Sequence, residues 1–176
     1  MNSPYQWFAM RATYKREIVA KEYLASKGIE VFVPMKCEIK VVRGIKRKLT
    51  LPAINSLIFV YSTKEALQEA KFGVDYLQYL TRKEDGRNVP IIVPTVQMEQ
   101  FMNVVQNDTI EKSFFTPAEA DLGSGTKVKV HGGPFDGYEG TLLKVKGKRI
   151  KHFVLDLEGL VAVSTVVKNL DLIEVV

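Results

Sequence analysis

Residues able to do covalent or metal chemistry are scarce in this chain. His131 and His152 are the only histidines and Cys37 the only cysteine. A zinc site needs three or four such ligands at short, paired spacings, and no pair here has them. Asp85 and Asp136 each precede a glycine, which is the chemistry of turns. The glycine-rich stretch GTKVKVHGGPFDGYEG, residues 125–140, departs from the GxxxxGK[ST] and GxGxxG loops that cradle phosphates at the start of a helix. The following TLLKVKGKRIKHFVLDL alternates as strands do, so the stretch reads as a β-hairpin turn. The expectation is a protein without catalytic residues, metal or cofactor.

Charge is the remaining chemistry. The 176 residues carry 25 Lys and Arg against 20 Asp and Glu, a net charge of +5 that only hints at a polyanionic partner. Residues 1–108 hold 16 bases against 11 acids. Arg11, Lys15 and Arg16 cluster near one strand–helix junction. Arg43, Lys46, Arg47 and Lys48 lie where CEIKVVR and KRKLTLP read as a basic hairpin joined at Arg43-Gly44. Phosphate contacts from such groups would give salt-dependent binding without sequence information. The bland alternative is ordinary solvated charge.

The elements that position these groups follow from pattern. Residues 5–11 read as a strand. Thr13 can cap a helix placing Val19, Ala20, Tyr23 and Leu24 on one face, and Gly28 ends it. IEVFVP is a strand, NSLIFVYS the most apolar and central one, KEALQEAKF a short helix, YLQYL a short strand and KEDGRN a turn. Thr95 then caps a helix with Met98, Phe101, Met102 and Val105 on one face. This mixed order predicts an α+β fold, with helices flanking an antiparallel sheet over residues 1–108. Residues 109–123 lose periodicity, contain Pro117 and read as a linker, with Phe114 and Phe115 able to dock on a neighbour. Residues 124–176 pack about five short strands between turns at Gly133-Pro134, Gly147-Lys148 and Glu158-Gly159, the signature of a small β-barrel.

No stretch of 18 apolar residues and no signal-peptide pattern is present, and the lone cysteine fits a reducing compartment, so a cytoplasmic monomer without membrane contact is expected.

Gly125, Val128, Val130, Gly133, Pro134, Phe135, Gly137 and Gly140 match G-x-x-V-x-V-x-x-G-P-F-x-G-x-x-G, which resembles the KOW motif. Trp7, Glu17, Leu24, Gly28, Pro34, Pro52, Phe59 and Val60 are similar to the N-terminal (NGN) domain of the NusG family. Within it the chain looks most like the specialised RfaH/UpxY paralogues, antiterminators of surface-polysaccharide operons. The basic VVRGIKRK hairpin points there, as does Asn55-Ser56 where housekeeping members tend to carry Pro-Gly.

The resemblance implies a transcription elongation or antitermination factor, not an enzyme. It would hold the RNA polymerase clamp closed through its N-terminal domain and so suppress pausing and termination. Polymerase contacts carry over to Ile54, Leu57, Phe59, Leu77 and Leu80. Alternation puts Leu57 and Phe59 on one face and Ile58 and Val60 on the other, and one face must be core; Leu57 and Phe59 are assigned to an exposed face. Arg11, Lys15 and Arg16 would meet the non-template DNA strand, and Arg43, Lys46, Arg47 and Lys48 upstream DNA. Phe135 would dock a ribosomal protein or Rho, or else plug the barrel end. The alternatives are a housekeeping NusG and a ribosome-associated KOW RNA-binding protein. The glycines of residues 132–147 argue against a helical C-terminal domain at about 1 kcal/mol each.

Overall fold

The structure is a computed structural model that describes residues 3–116, 119, 121–145, 147, 149–166 and 173–176. Of the positions singled out above, Pro117 and Lys148 lie outside the described residues. The fold is mixed α+β and divides into two compact units, Met1–Thr95 and Val96–Val176.

In the first unit, β1 (Gln6–Ala12) leads to α1 (Glu17–Ser26) and β2 (Glu30–Phe32). β3 (Met35–Val42) and β4 (Ile45–Pro52) form a hairpin, followed by β5 (Leu57–Ser62) and α2 (Lys64–Lys71). β6 (Leu77–Tyr79), β7 (Thr81–Glu84), β8 (Arg87–Pro90) and β9 (Ile92–Val93) complete it. The main sheet runs β2-β5-β1-β6, with β9 also on β1, so the most apolar strand is central as its composition predicts.

Antiparallel register sorts this sheet into two faces. Phe8, Met10, Ala12, Ile58 and Val60 pack with Ala20 and Leu24 of α1 and with Leu67 and Ala70 of α2. The Tyr23 hydroxyl donates to the Ala70 carbonyl at 2.7 Å, tying α1 to the end of α2. Thr63 caps α2 by accepting from Ala66 N–H at 3.2 Å.

Thr13 does not cap α1. Tyr14 and Lys15 take left-handed angles (φ 58° and 55°), which delays the helix to Glu17 and leaves Val19 half exposed.

In the second unit, α3 (Thr95–Gln106) buries Met98, Phe101, Val104 and Val105; Met102, expected on that face, is only partly covered. β10 (Lys112–Phe115) follows, then β11 (Thr126–Val130), β12 (Glu139–Lys144), β13 (Lys151–Leu157), β14 (Val161–Thr165) and β15 (Ile173–Val175). They form a six-stranded sheet in the order β10-β14-β13-β12-β11-β15. β10 lies inside the stretch read as a linker: Lys112 pairs with Thr165 and Phe115 with Ala162. The first unit ends at Thr95, whereas the sequence pattern places the end of the first domain at 108. The described residues after 125 contain strands and no α-helix.

The glycine-rich stretch has two distinct needs. Gly137 sits at φ 80°, which side chains disfavour. Gly140 is a close approach: a Cβ there would lie 2.6 Å from the Val154 carbonyl oxygen and 2.7 Å from the Phe153 ring.

Candidate nucleic-acid interface

The first basic cluster is built on the left-handed turn after β1. Arg11, Lys15 and Arg16 are all exposed. The turn is pinned to the segment before β6, because Thr13 N–H donates to the Tyr76 carbonyl at 2.9 Å. The Arg16 guanidinium lies 5.7 Å from the Tyr14 ring centre and 5.2 Å from that of Tyr76, within cation–π range. Tyr14 is 84% exposed. Sequence reasoning missed both tyrosines. Tyr14 stands between the basic residues, so its neighbours were the available signal; Tyr76 joins only through the fold.

Glu17 holds this junction from below. It is 3% exposed, and its Oε1 accepts from Ser56 N–H at 2.6 Å. Ser56 itself is left-handed at φ 64°, and its carbonyl accepts from Ala12 N–H at 2.8 Å. Asn55-Ser56 therefore makes a turn that Pro-Gly would make without the side-chain penalty.

The second cluster is the β3–β4 hairpin. Arg43 (φ 52°) and Gly44 (φ 77°) form its two-residue turn, the geometry that matches strand twist. The two strands pair only with each other, from Met35↔Pro52 to Val42↔Ile45. Arg43, Lys46, Arg47 and Lys48 are exposed and form no ion pair among the described residues. The only acid of the hairpin, Glu38, binds Lys36 at 2.8 Å and Lys40 at 3.7 Å. The Lys36 hydrogen bond and charge hold its carboxyl below the usual range.

The apolar candidates are placed differently from expectation. Leu57 and Phe59 are 5% and 0% exposed, so they are not on an open face. Both faces of β5 are buried, which is why its sequence is a continuous apolar run. Leu77 lies opposite Ala12 in the helix-covered core, at 3% exposure. Ile54 and Leu80 are partly exposed. Phe135 is buried at 6%, its ring 6.0 Å from Tyr138 and 6.1 Å from Phe153, so it plugs the sheet rather than standing out for a partner.

In the second unit a cavity of about 450 Å³ lies between the start of α3 and β12–β13, with Gln97, Gln100, Phe101, Glu139 and Asp156 on its wall. Asp156 is exposed on β13, yet partial desolvation pushes its carboxyl up from its ordinary value, against an opposing hydrogen bond from Gly159 N–H at 3.2 Å. Among the described residues no group of three or more His, Cys, Asp or Glu could hold a metal ion.

A family model, NusG, described as transcription termination factor nusG, matches residues 5–102. The chain belongs to the NusG family. The match spans both basic clusters and the Glu17–Ser56 junction. No curated protein matches the chain. Among solved structures, it is similar to Thermotoga maritima NusG, described for its domain interaction, at 19% identity, 98% coverage of each chain and a TM-score of 0.47. It is also similar to an MjSpt4:Spt5 complex in conformation B, at 17% identity, 97% and 96% coverage and a TM-score of 0.31. No helix of the described residues is long and apolar enough to cross a membrane.

Proposed function

We propose that this NusG-family protein is a cytoplasmic, non-enzymatic transcription elongation and antitermination factor. Its N-terminal domain, residues 1–108, binds RNA polymerase, and its exposed bases contact the DNA of the transcribing complex. The observation that carries this reading is the family match over residues 5–102, which spans both exposed basic clusters, Arg11, Lys15 and Arg16, and Arg43, Lys46, Arg47 and Lys48. The two clusters differ in what they offer. The β1 turn adds an exposed aromatic, Tyr14, suited to an unpaired strand; the hairpin has charge but no aromatic. Of the apolar candidates, Ile54 and Leu80 keep the exposure that a direct polymerase contact needs. Residues 124–176 form the KOW module, its glycine-rich turn supporting that reading; its partner, a ribosomal protein or Rho, meets a surface other than the buried Phe135. No covalent step is required: a factor that binds the moving enzyme better than the paused one shifts that equilibrium.

The specialised rather than the housekeeping role is supported by the basic hairpin and by Ser56, which tolerates a left-handed backbone without glycine. The target is then a restricted set of operons, such as those for surface polysaccharides.

The test is capture from native cytosol. Tagged full-length protein is expected to retain RNA polymerase. Replacing Arg11, Lys15 and Arg16 with Ala is expected to leave the fold intact, since exposed charges contribute little. It should lower the slope of log affinity for a paused complex against log salt by about 0.7–0.9 for each lost phosphate contact. Capture of ribosomes without polymerase would overturn the reading.

A further inference from the structure

The β3–β4 hairpin is a ribbon with two unlike faces. Paired residues share a face, so Ile39 lies beside Lys48 and Val41 beside Lys46. Ile39 is 73% and Val41 65% exposed, and Lys46 and Lys48 are exposed too. This face therefore carries an apolar β-branched row on one strand and a lysine row on the other, with no acid. The opposite face takes Glu38 with its two lysine partners, and the partly covered Leu49 and Leu51.

Charge selects the partner class. Residues 35–52 hold six Lys and Arg against one acid, and that acid is already engaged. The residue types then select the form of polyanion. Unpaired nucleic acid is held by aromatic rings that stack on bases, and residues 35–52 contain no Phe, Tyr or Trp. A duplex is read otherwise: its major groove, about 12 Å wide, admits a two-stranded ribbon, and apolar side chains there meet the thymine methyl group. Eight residues per strand at about 3.4 Å each give a ribbon long enough to lie in one groove.

We propose that the hairpin binds duplex DNA through its major groove. Ile39 and Val41 face the base edges, and Lys46 and Lys48 reach the phosphates. This rests on the reading of the hairpin as a DNA contact and assigns it the double-stranded form and a preference for A·T-rich sequence.

Fluorescence anisotropy of the full chain tests it. The probes are an A·T-rich duplex, the same duplex with deoxyuridine replacing thymidine, and the single strand. With Arg11, Lys15 and Arg16 replaced by Ala the protein is expected to prefer the duplex, and the intact protein to lose about fourfold in affinity per contacted methyl on the deoxyuridine probe. An Ile39→Ser/Val41→Ser variant should bind both duplexes alike. A Lys46→Ala/Lys48→Ala variant should lower the salt slope by about two. Equal affinity for the single strand once Arg11, Lys15 and Arg16 are replaced by Ala, which removes the other basic cluster, or no deoxyuridine effect on the intact protein, overturns the proposal. Polymerase capture is scored separately. Capture without duplex preference removes only this inference, while duplex preference without capture removes the transcription-factor reading.

Discussion

Ser56 is the residue at which local strain and site geometry meet. Its left-handed backbone is held by Glu17 from below and by Ala12 from the side. Ser56→Gly should relieve the side-chain penalty and stabilise the protein by about 0.5–1 kcal/mol after glycine's greater unfolded-state entropy is subtracted. A rise of about 2 °C in melting temperature is expected. Glu17→Ala should instead cost about 2 kcal/mol, because it strands a covered N–H, and Glu17→Gln should recover part of that. Urea melts of the three variants check the order. Asp156 gives a pH test. Its carboxyl is raised by partial desolvation, so between its ordinary and its native pKa the folded state binds more protons than the unfolded one. Stability therefore falls as pH rises through that window. Asp156→Asn keeps an acceptor for Gly159 N–H and should be at most slightly more stable than the parent at neutral pH, because solvent screens the exposed carboxylate, with the difference vanishing below the ordinary carboxylate range. Thermal melts across pH 3–8 check it, and a difference that grows in acid would contradict the desolvation argument.

At the scale of elements, the central place of β5 and the third helix follow closely from the sequence pattern, whereas two placements do not. Alternation along β5 assigns Leu57 and Phe59 to one face but cannot say whether that face is covered. Both are buried, so Leu57→Ser with Phe59→Ser should cost about 5 kcal/mol or more, near the whole stability of a domain. Loss of the cooperative melt is the expected result, and a fully folded double mutant would contradict it. The strand β10 was illegible for a different reason. Its partner, β14, lies some fifty residues away, and four residues carry too little pattern to announce a pairing. Lys112 of β10 also has a role that sequence does not show. Its ammonium donates to the carbonyls of Val104, Val105 and Asn107 at 3.1, 2.8 and 2.6 Å, covering acceptors at and just beyond the end of α3. Lys112→Met should fray that end and cost about 2 kcal/mol, read as faster amide exchange in residues 104–108.

For the whole molecule, the legible part was the part written in local chemistry: glycines at turns, bases in runs and the apolar central strand. The aromatic pair at the first basic cluster came from two loops sixty residues apart, which no spacing rule connects. The burial of Glu17 was equally hidden, since a helix-starting glutamate reads as solvated until the turn it serves is in place. The hairpin also bears on how the protein behaves in the tube. Its lysines and arginines keep neighbouring molecules apart in dilute buffer, while Ile39, Val41, Val42 and Ile45 remain in water beside them. Concentrated sulfate would mute that repulsion and at the same time strengthen apolar association. Colloidal stability should therefore drop as sulfate rises, with light scattering reporting larger particles, and Ile39→Ser/Val41→Ser should move the onset to higher salt.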